Sequence, residues 1–179
     1  MPAVTAGALL AEPDVTAFRT AMGRFPTGVT LLTQGSGDDT IVMTLNSLTS
    51  VSLDPMLILV SVKADGRMRP RISAAGSFAV NVLSEAQRDL AQLFCRPDRP
   101  EGAAAMRRLG AEEGVTKNAV LPGAETYVEC VLDAEYAAGD HTLLIGRVVA
   151  LSAGRPGADP LLFHQGRFGR LPSAGEGQE

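Results

Sequence analysis

The strand-like runs of this chain lie too close together for crossover helices to fit between most of them. Apolar or β-branched runs occupy residues 26–33, 40–50, 56–62, 77–83, 126–136, 141–152 and 160–164. Only the turn-forming "QGSGDD" (34–39) separates the first pair, and the Asp54–Pro55 break precedes the third. A parallel connection needs about a dozen or more residues, usually a helix, whereas antiparallel neighbours need only a turn. The expected class is therefore mainly β: six or seven strands forming an antiparallel β-barrel with peripheral helices, rather than a doubly wound sheet.

Helices are expected at the margins of this barrel. Pro13 and Asp14 are start signals for a helix carrying Val15, Phe18, Met22 and Phe25 near one face. "SEAQ" (84–87) has the form of a capping box, opening a helix with Ala86, Leu90, Leu93 and Phe94 at helical spacing. One short helix is expected within the basic segment 63–76, and one within the weakly patterned 103–124.

At 179 residues the chain fits one domain, placed at 15–171, with flexible segments expected at 1–14 and 172–179. A net charge of −4 and an aromatic content of 4 % without Trp argue against a nucleic-acid surface. Two cysteines without CxxC and two histidines without HExxH offer no metal signature. No run approaches the roughly 20 apolar residues of a membrane span, and a cytoplasmic location is expected.

Chemistry concentrates in three places. "MTLNSLTSVSLDP" (43–55) gathers Thr44, Asn46, Ser47, Thr49, Ser50 and Ser52 ahead of the apolar "MLILVSV" (56–62). Adjacent polar residues mark a strand splaying into a loop, where neutral donors and acceptors suit a planar heterocycle. The same pattern also fits an ordinary strand end with exposed hydroxyls. "KADGRMRPR" (63–71) sets Lys63, Arg67, Arg69 and Arg71 around a Gly-containing turn, either a solvated loop or an anion site. "GDH" (139–141) puts His141 beside Asp140 at a strand entrance, as a structural histidine or as a ligand-facing one. There is no G-x-G-x-x-G, P-loop or G-x-S-x-G.

Five collinear blocks together resemble the short-chain flavin reductases that serve two-component flavin-dependent monooxygenases. They are "FRTAMGRFPTGVTLLT" (18–33), "MTLNSLTSVSLDPMLILVSV" (43–62), "FAVNVLSEAQRDLAQLF" (78–94), "GDHTLLIGRV" (139–148) and "DPLLFHQGRF" (159–168). The resemblance implies an FMN-binding split barrel, an antiparallel Greek-key barrel that forms a homodimer. It implies hydride transfer from NADH or NADPH to FMN or FAD, and release of reduced flavin to a separate monooxygenase. By position, it implies flavin contacts from Thr44, Leu45, Asn46, Ser47, Leu48, Ser50 and Val51, and phosphate contacts from Lys63, Asp65, Gly66, Arg67 and Arg71. It implies His141 as the catalytic residue beside the nicotinamide, with Phe163, Gly166 and Phe168 near the same mouth. Val42 and Leu45 stand where the family commonly has Gly and Ala, and Phe168 where it often has Tyr. A non-catalytic flavin-binding carrier or sensor would fit the same barrel, as would a haem or pyridoxal phosphate protein.

Overall fold

A computed structural model describes residues 12, 14–154, 157 and 159–171. Apart from Glu12 and Asp14, the segments expected to be flexible lie outside the described residues. The first helix, α1 (Val15–Gly23), starts where expected: the Asp14 side chain caps it by accepting from the Ala17 N–H at 2.7 Å. Two strands follow, β1 (Thr27–Gly28) and β2 (Thr30–Gln34), with β2 buried along its whole length. The expected single strand over 40–50 is two strands, β3 (Ile41–Leu45) and β4 (Thr49–Leu53), and β5 (Met56–Lys63) returns along β4. Residues 46–48 leave the ladder where the Asn46 and Ser47 side chains bond to Thr27 and Ser61 and Leu48 packs against the core.

Next come α2 (Met68–Ala75), β6 (Ser77–Val82), α3 (Arg88–Phe94) and α4 (Gly102–Leu109). The capping box is present at Ser84 and Gln87, where the Ser84 N–H donates to Gln87 Oε1 at 3.0 Å. It opens a single 3-10 turn before α3. The short strands β7 (Glu112–Glu113) and β8 (Ala119–Val120) pair with each other. The long β9 (Thr126–Ala138) and β10 (His141–Leu151) form a hairpin. Finally β11 (Leu162–His164) and β12 (Arg167–Gly169) join β1 in a small sheet.

The main sheet has seven strands in the order β3-β2-β6-β9-β10-β5-β4, every neighbouring pair antiparallel. Strands sit about 4.8 Å apart, so a flat sheet would separate β3 from β5 by about 24 Å. Yet Leu45 of β3 and Ile58, Val60 and Val62 of β5 share one buried cluster with Leu32, Phe78, Val80 and Leu144. The sheet is therefore curled around that core. Cys130 belongs to the same core, and burial pushes its thiol up to about 12, so it behaves as a small hydrophobe. The opposite face of β2 contributes Leu31 to a second cluster with Ala91, Phe94, Ala105 and Leu109 of the helices. Among the described residues no helix is long and apolar enough to cross a membrane.

Two apolar surfaces lie outside the cores. Among the described residues the apolar face of α1 covers no core: Phe18 is 61 % exposed and Phe25, just beyond the helix, is 67 % exposed. On the outer face of the sheet, Leu57 and Leu59 stand beside Leu143 and Ile145, half-buried and outside both clusters.

Candidate functional site

The loop 46–48 leaves β3 and crosses to β5, fastened by its own side chains. Ser47 Oγ donates to the Ser61 carbonyl and accepts from the Ser61 N–H, both at 3.0 Å. Asn46 Nδ2 donates to Thr27 Oγ1 at 3.1 Å, and Thr44 Oγ1 donates to the Ala91 carbonyl at 2.8 Å. The hydroxyl protons of Thr44 and Ser47 are thus committed to the protein. What the loop can offer a ligand is its remaining backbone N–H groups, the Asn46 carbonyl oxygen and the spare acceptor sites of the hydroxyls.

This loop borders two neighbouring spaces that share Asn46 and Phe163 in their walls. One is an open cavity of about 530 Å³ between α1 and the loop, lined among others by Phe18, Phe25, Asn46, Ser47, Phe163 and Gly166. The other is a smaller apolar niche of about 100 Å³ among Thr44, Leu45, Asn46, Cys95, Phe163 and Phe168. The larger one lies within the usual range for small-molecule sites, a few hundred to 1,000 Å³. Phe163 and Phe168 meet edge to face, ring centroids 5.5 Å apart, as cross-strand partners on β11 and β12. The chain therefore brings Thr44, Asn46, Ser47 and Leu48 together with Phe163, Gly166 and Phe168. Leu45 is buried in the core, and its carbonyl accepts from Thr30 Oγ1 at 3.0 Å. Ser50 and Val51 lie exposed on the edge strand β4.

The cationic segment begins two residues beyond the Ser47–Ser61 fastening, about 7 Å along β5. The turn after Lys63 closes with the Gly66 N–H donating to the Lys63 carbonyl at 3.1 Å. Arg67 then sits at the N-cap of α2, where the first helical N–H groups lack intrahelical partners and the helix dipole favours an anion. Lys63, Asp65 and Arg67 are exposed there. Arg71 points elsewhere: its Nε donates to Gln34 Oε1 at 2.9 Å, and its Nη2 reaches the Asp39 carbonyl. It lines a separate cleft with Asp39, Glu113 and Lys117 that shares no residue with the loop cavities.

His141 is the register partner of Lys63 across β10 and β5, so it belongs to the cationic end rather than to the Phe163 cavity. Its Nδ1 lies 2.8 Å from Asp140 Oδ1, which leaves Nε2 as the outward nitrogen. That hydrogen bond holds the Asp140 carboxyl below its ordinary range. The residues sequence reasoning did not flag are Thr27, Phe18, Phe25 and Cys95. The periodicity of α1 showed an apolar face, which pattern alone assigns to a core.

The comparisons with known proteins converge. The chain is 44 % identical over 160 residues to an NADH-dependent FMN reductase, AsuE2, of Streptomyces nodosus subsp. asukaensis, covering 89 % of this chain and 86 % of that protein. It is 38 % identical over 183 residues to an NADH-dependent FAD reductase of Streptomyces globisporus, covering 99 % and 98 %. Among solved structures it superposes on BorF, the flavin reductase component of a bacterial two-component tryptophan halogenase, with a TM-score of 0.82, 39 % identity and coverage of 89 % and 99 %. Residues 22–172 match the flavin reductase like domain, and the chain belongs to that family.

Proposed function

We propose that the protein is an NAD(P)H-dependent flavin reductase that reduces FMN or FAD and passes the reduced flavin to a partner monooxygenase. The observation that carries this is the juxtaposition of three surfaces: the neutral loop 44–48 and the Phe163–Phe168 wall, which line the same cavities, and the cationic turn that begins two residues beyond the Ser47–Ser61 fastening. A flavin nucleotide has the same three parts, a multi-acceptor ring, an apolar ring face and a phosphate. The domain is taken as residues 15–171, and the curled seven-stranded sheet as the Greek-key split barrel of the family.

Within this reading the loop backbone and Asn46 hydrogen-bond the ring edges, while Ser47 holds them in place. Phe163 and Phe168 bound the ring face and exclude water. Lys63, Gly66 and Arg67 receive the phosphate, Lys63 and Arg67 as charges and Gly66 as a backbone donor. Arg71, tied to Gln34 and Asp39, is at most a distant contributor to that charge. His141, beside Lys63 at the cationic end with Nδ1 taken by Asp140, is the residue the family resemblance puts near the nicotinamide. A bound nicotinamide and flavin supply the hydride chemistry between themselves, so no acid–base dyad of the chain is required.

The test is turnover of purified protein, followed as loss of NADH absorbance with FMN, FAD or riboflavin, and repeated with NADPH. Flavin-dependent oxidation on the order of 10 s⁻¹ is expected. A protein that binds flavin but oxidises neither nicotinamide sinks the reductase reading.

The same reading makes the protein a homodimer. Leu57, Leu59, Leu143 and Ile145 form one apolar face outside both cores. Tyr136 beside it is 59 % exposed, and Leu53 at the sheet edge is 88 % exposed. A contiguous face of this kind marks an interaction surface. Sedimentation equilibrium is expected to give twice the 18.7 kDa chain mass, and a monomer across the micromolar range would refute it.

A further inference from the structure

The cation best placed for a flavin phosphate already has an anion on it. Arg67 Nη1 lies 2.6 Å from Glu101 Oε1, although the two residues are far apart in sequence. Both side chains are well exposed, 60 % for Arg67 and 40 % for Glu101. Their meeting is imposed by the backbone of 96–102. Arg99 Nε donates to the Val42 carbonyl of β3 at 2.7 Å, and Arg99 Nη1 donates to the Arg96 carbonyl at 3.0 Å. The Gly102 N–H donates to the Thr40 carbonyl at 2.7 Å. Gly102 has a φ of +57°, and a Cβ there would stand 2.8 Å from the Asp38 carbonyl oxygen, so the pinch admits only glycine.

Glu101 is also the N-cap of α4, yet its side chain makes no cap hydrogen bond. A shorter acceptor such as Ser or Asp would normally fold back onto the helix there. The longer glutamate reaches across to Arg67 instead. Arg99 is close enough to feel both charges: burial first, and then the Arg67 charge, depress its pKa, while Glu101 opposes the shift. The carboxylate therefore offsets the repulsion between the Arg67 and Arg99 guanidinium groups. A phosphate arriving at Arg67 would do the same job.

We propose that Glu101 is a resident counter-anion that competes with the flavin phosphate for Arg67, and so sets how strongly phosphorylated flavin is preferred over riboflavin. This deepens the flavin-reductase reading and rests on it. An exposed ion pair is individually weak, so the carboxylate yields to a dianionic phosphate but taxes its binding. The result suits a flavin that must leave after reduction.

The test measures dissociation constants for FMN and riboflavin by flavin fluorescence. The variants are E101Q, E101S, R67Q and the R67Q/E101Q pair. E101S removes the charge while installing a favoured N-cap, which guards against loss of α4. Both Glu101 variants are expected to bind FMN about fivefold tighter with riboflavin unchanged. R67Q is expected to weaken FMN alone, and in the R67Q background E101Q should have no further effect. An unchanged FMN-to-riboflavin ratio in both Glu101 variants, a weaker grip on FMN, or loss of riboflavin binding in both overturns the proposal. Wild-type protein that binds neither flavin instead refutes the reductase reading itself.

Discussion

Gly146→Val is expected to lower stability by about 3 kcal/mol, the upper part of the range for overpacking a finished core. A Cβ at Gly146 would stand 2.5 Å from Phe78 Cζ and 2.8 Å from Cys130 Cβ. Phe78 and Cys130 are both fully buried, so neither can swing out to make room. The position is also backbone-critical, because the β9–β10 register shifts between Ile145 and Gly146 and β5 pairs on the other side through Ile58. For a domain of this size the loss corresponds to a fall of about 6–12 °C in Tm. Gly169→Ala is the control: among the described residues no atom beyond its chain neighbours lies within 4 Å of its Cβ position, and a change within about 0.5 kcal/mol is expected. Phe78→Leu should recover part of the Gly146→Val loss if the ring is the obstacle. Strictly additive losses in the double variant would show that the Phe78 ring is not the obstacle and leave the Cys130 contact as the clash.

Ser47→Ala is expected to raise the KM for flavin about tenfold while lowering stability by about 1–2 kcal/mol. The hydroxyl satisfies both the N–H and the C=O of Ser61. Alanine leaves both to find water and frees the loop 46–48 from β5. The kinetic effect follows because an unfastened loop must be ordered anew each time flavin binds. Steady-state rates over a flavin titration, alongside thermal denaturation, separate the two consequences. If KM holds while Tm falls, Ser47 is a strut of the fold with no part in presenting the loop. If neither moves, the two hydrogen bonds across the seam contribute nothing.

Much of the fold was legible because a period of two maps directly onto the two faces of a strand. Residues 77–83, 126–136 and 141–152 alternate and form β6, β9 and β10. Asp14 and the Ser84–Gln87 box were read correctly because capping needs particular side chains at particular places. The splaying of the chain after β3 was signalled by the adjacent polar residues, but the resumption as a second strand, β4, was not, because nothing in "LNSLTS" is a Gly, Pro or charge. Its cause is a tertiary contact, Ser47 with Ser61. The exposed face of α1 went unread for a related reason: periodicity shows that a helix has an apolar side, not what covers it.

The site was legible in its residue types and less so in their duties. Thr44, Asn46 and Ser47 were expected to offer a ring both side-chain and backbone groups, and the structure gives their side chains protein partners at Ala91, Thr27 and Ser61 as well. Arg67 and Arg71 looked equivalent in sequence, yet Arg71 is held by Gln34 and Asp39 while Arg67 meets Glu101. No local rule distinguishes two arginines four residues apart when their partners come from distant loops.

The fastening of loop 46–48 has a consequence for how such a protein can diverge. The segment nearest the ligand is also what ties β3 to β5, so drift at Ser47 would loosen the molecule before it retuned recognition. Selection for a new flavin or a new partner therefore has freer play at neighbouring positions that carry no strut. Cys95 and Phe168 line the niche, and Val51 stands exposed on the edge strand. Descendants of this chain should keep the hydroxyl at 47 while those three positions vary.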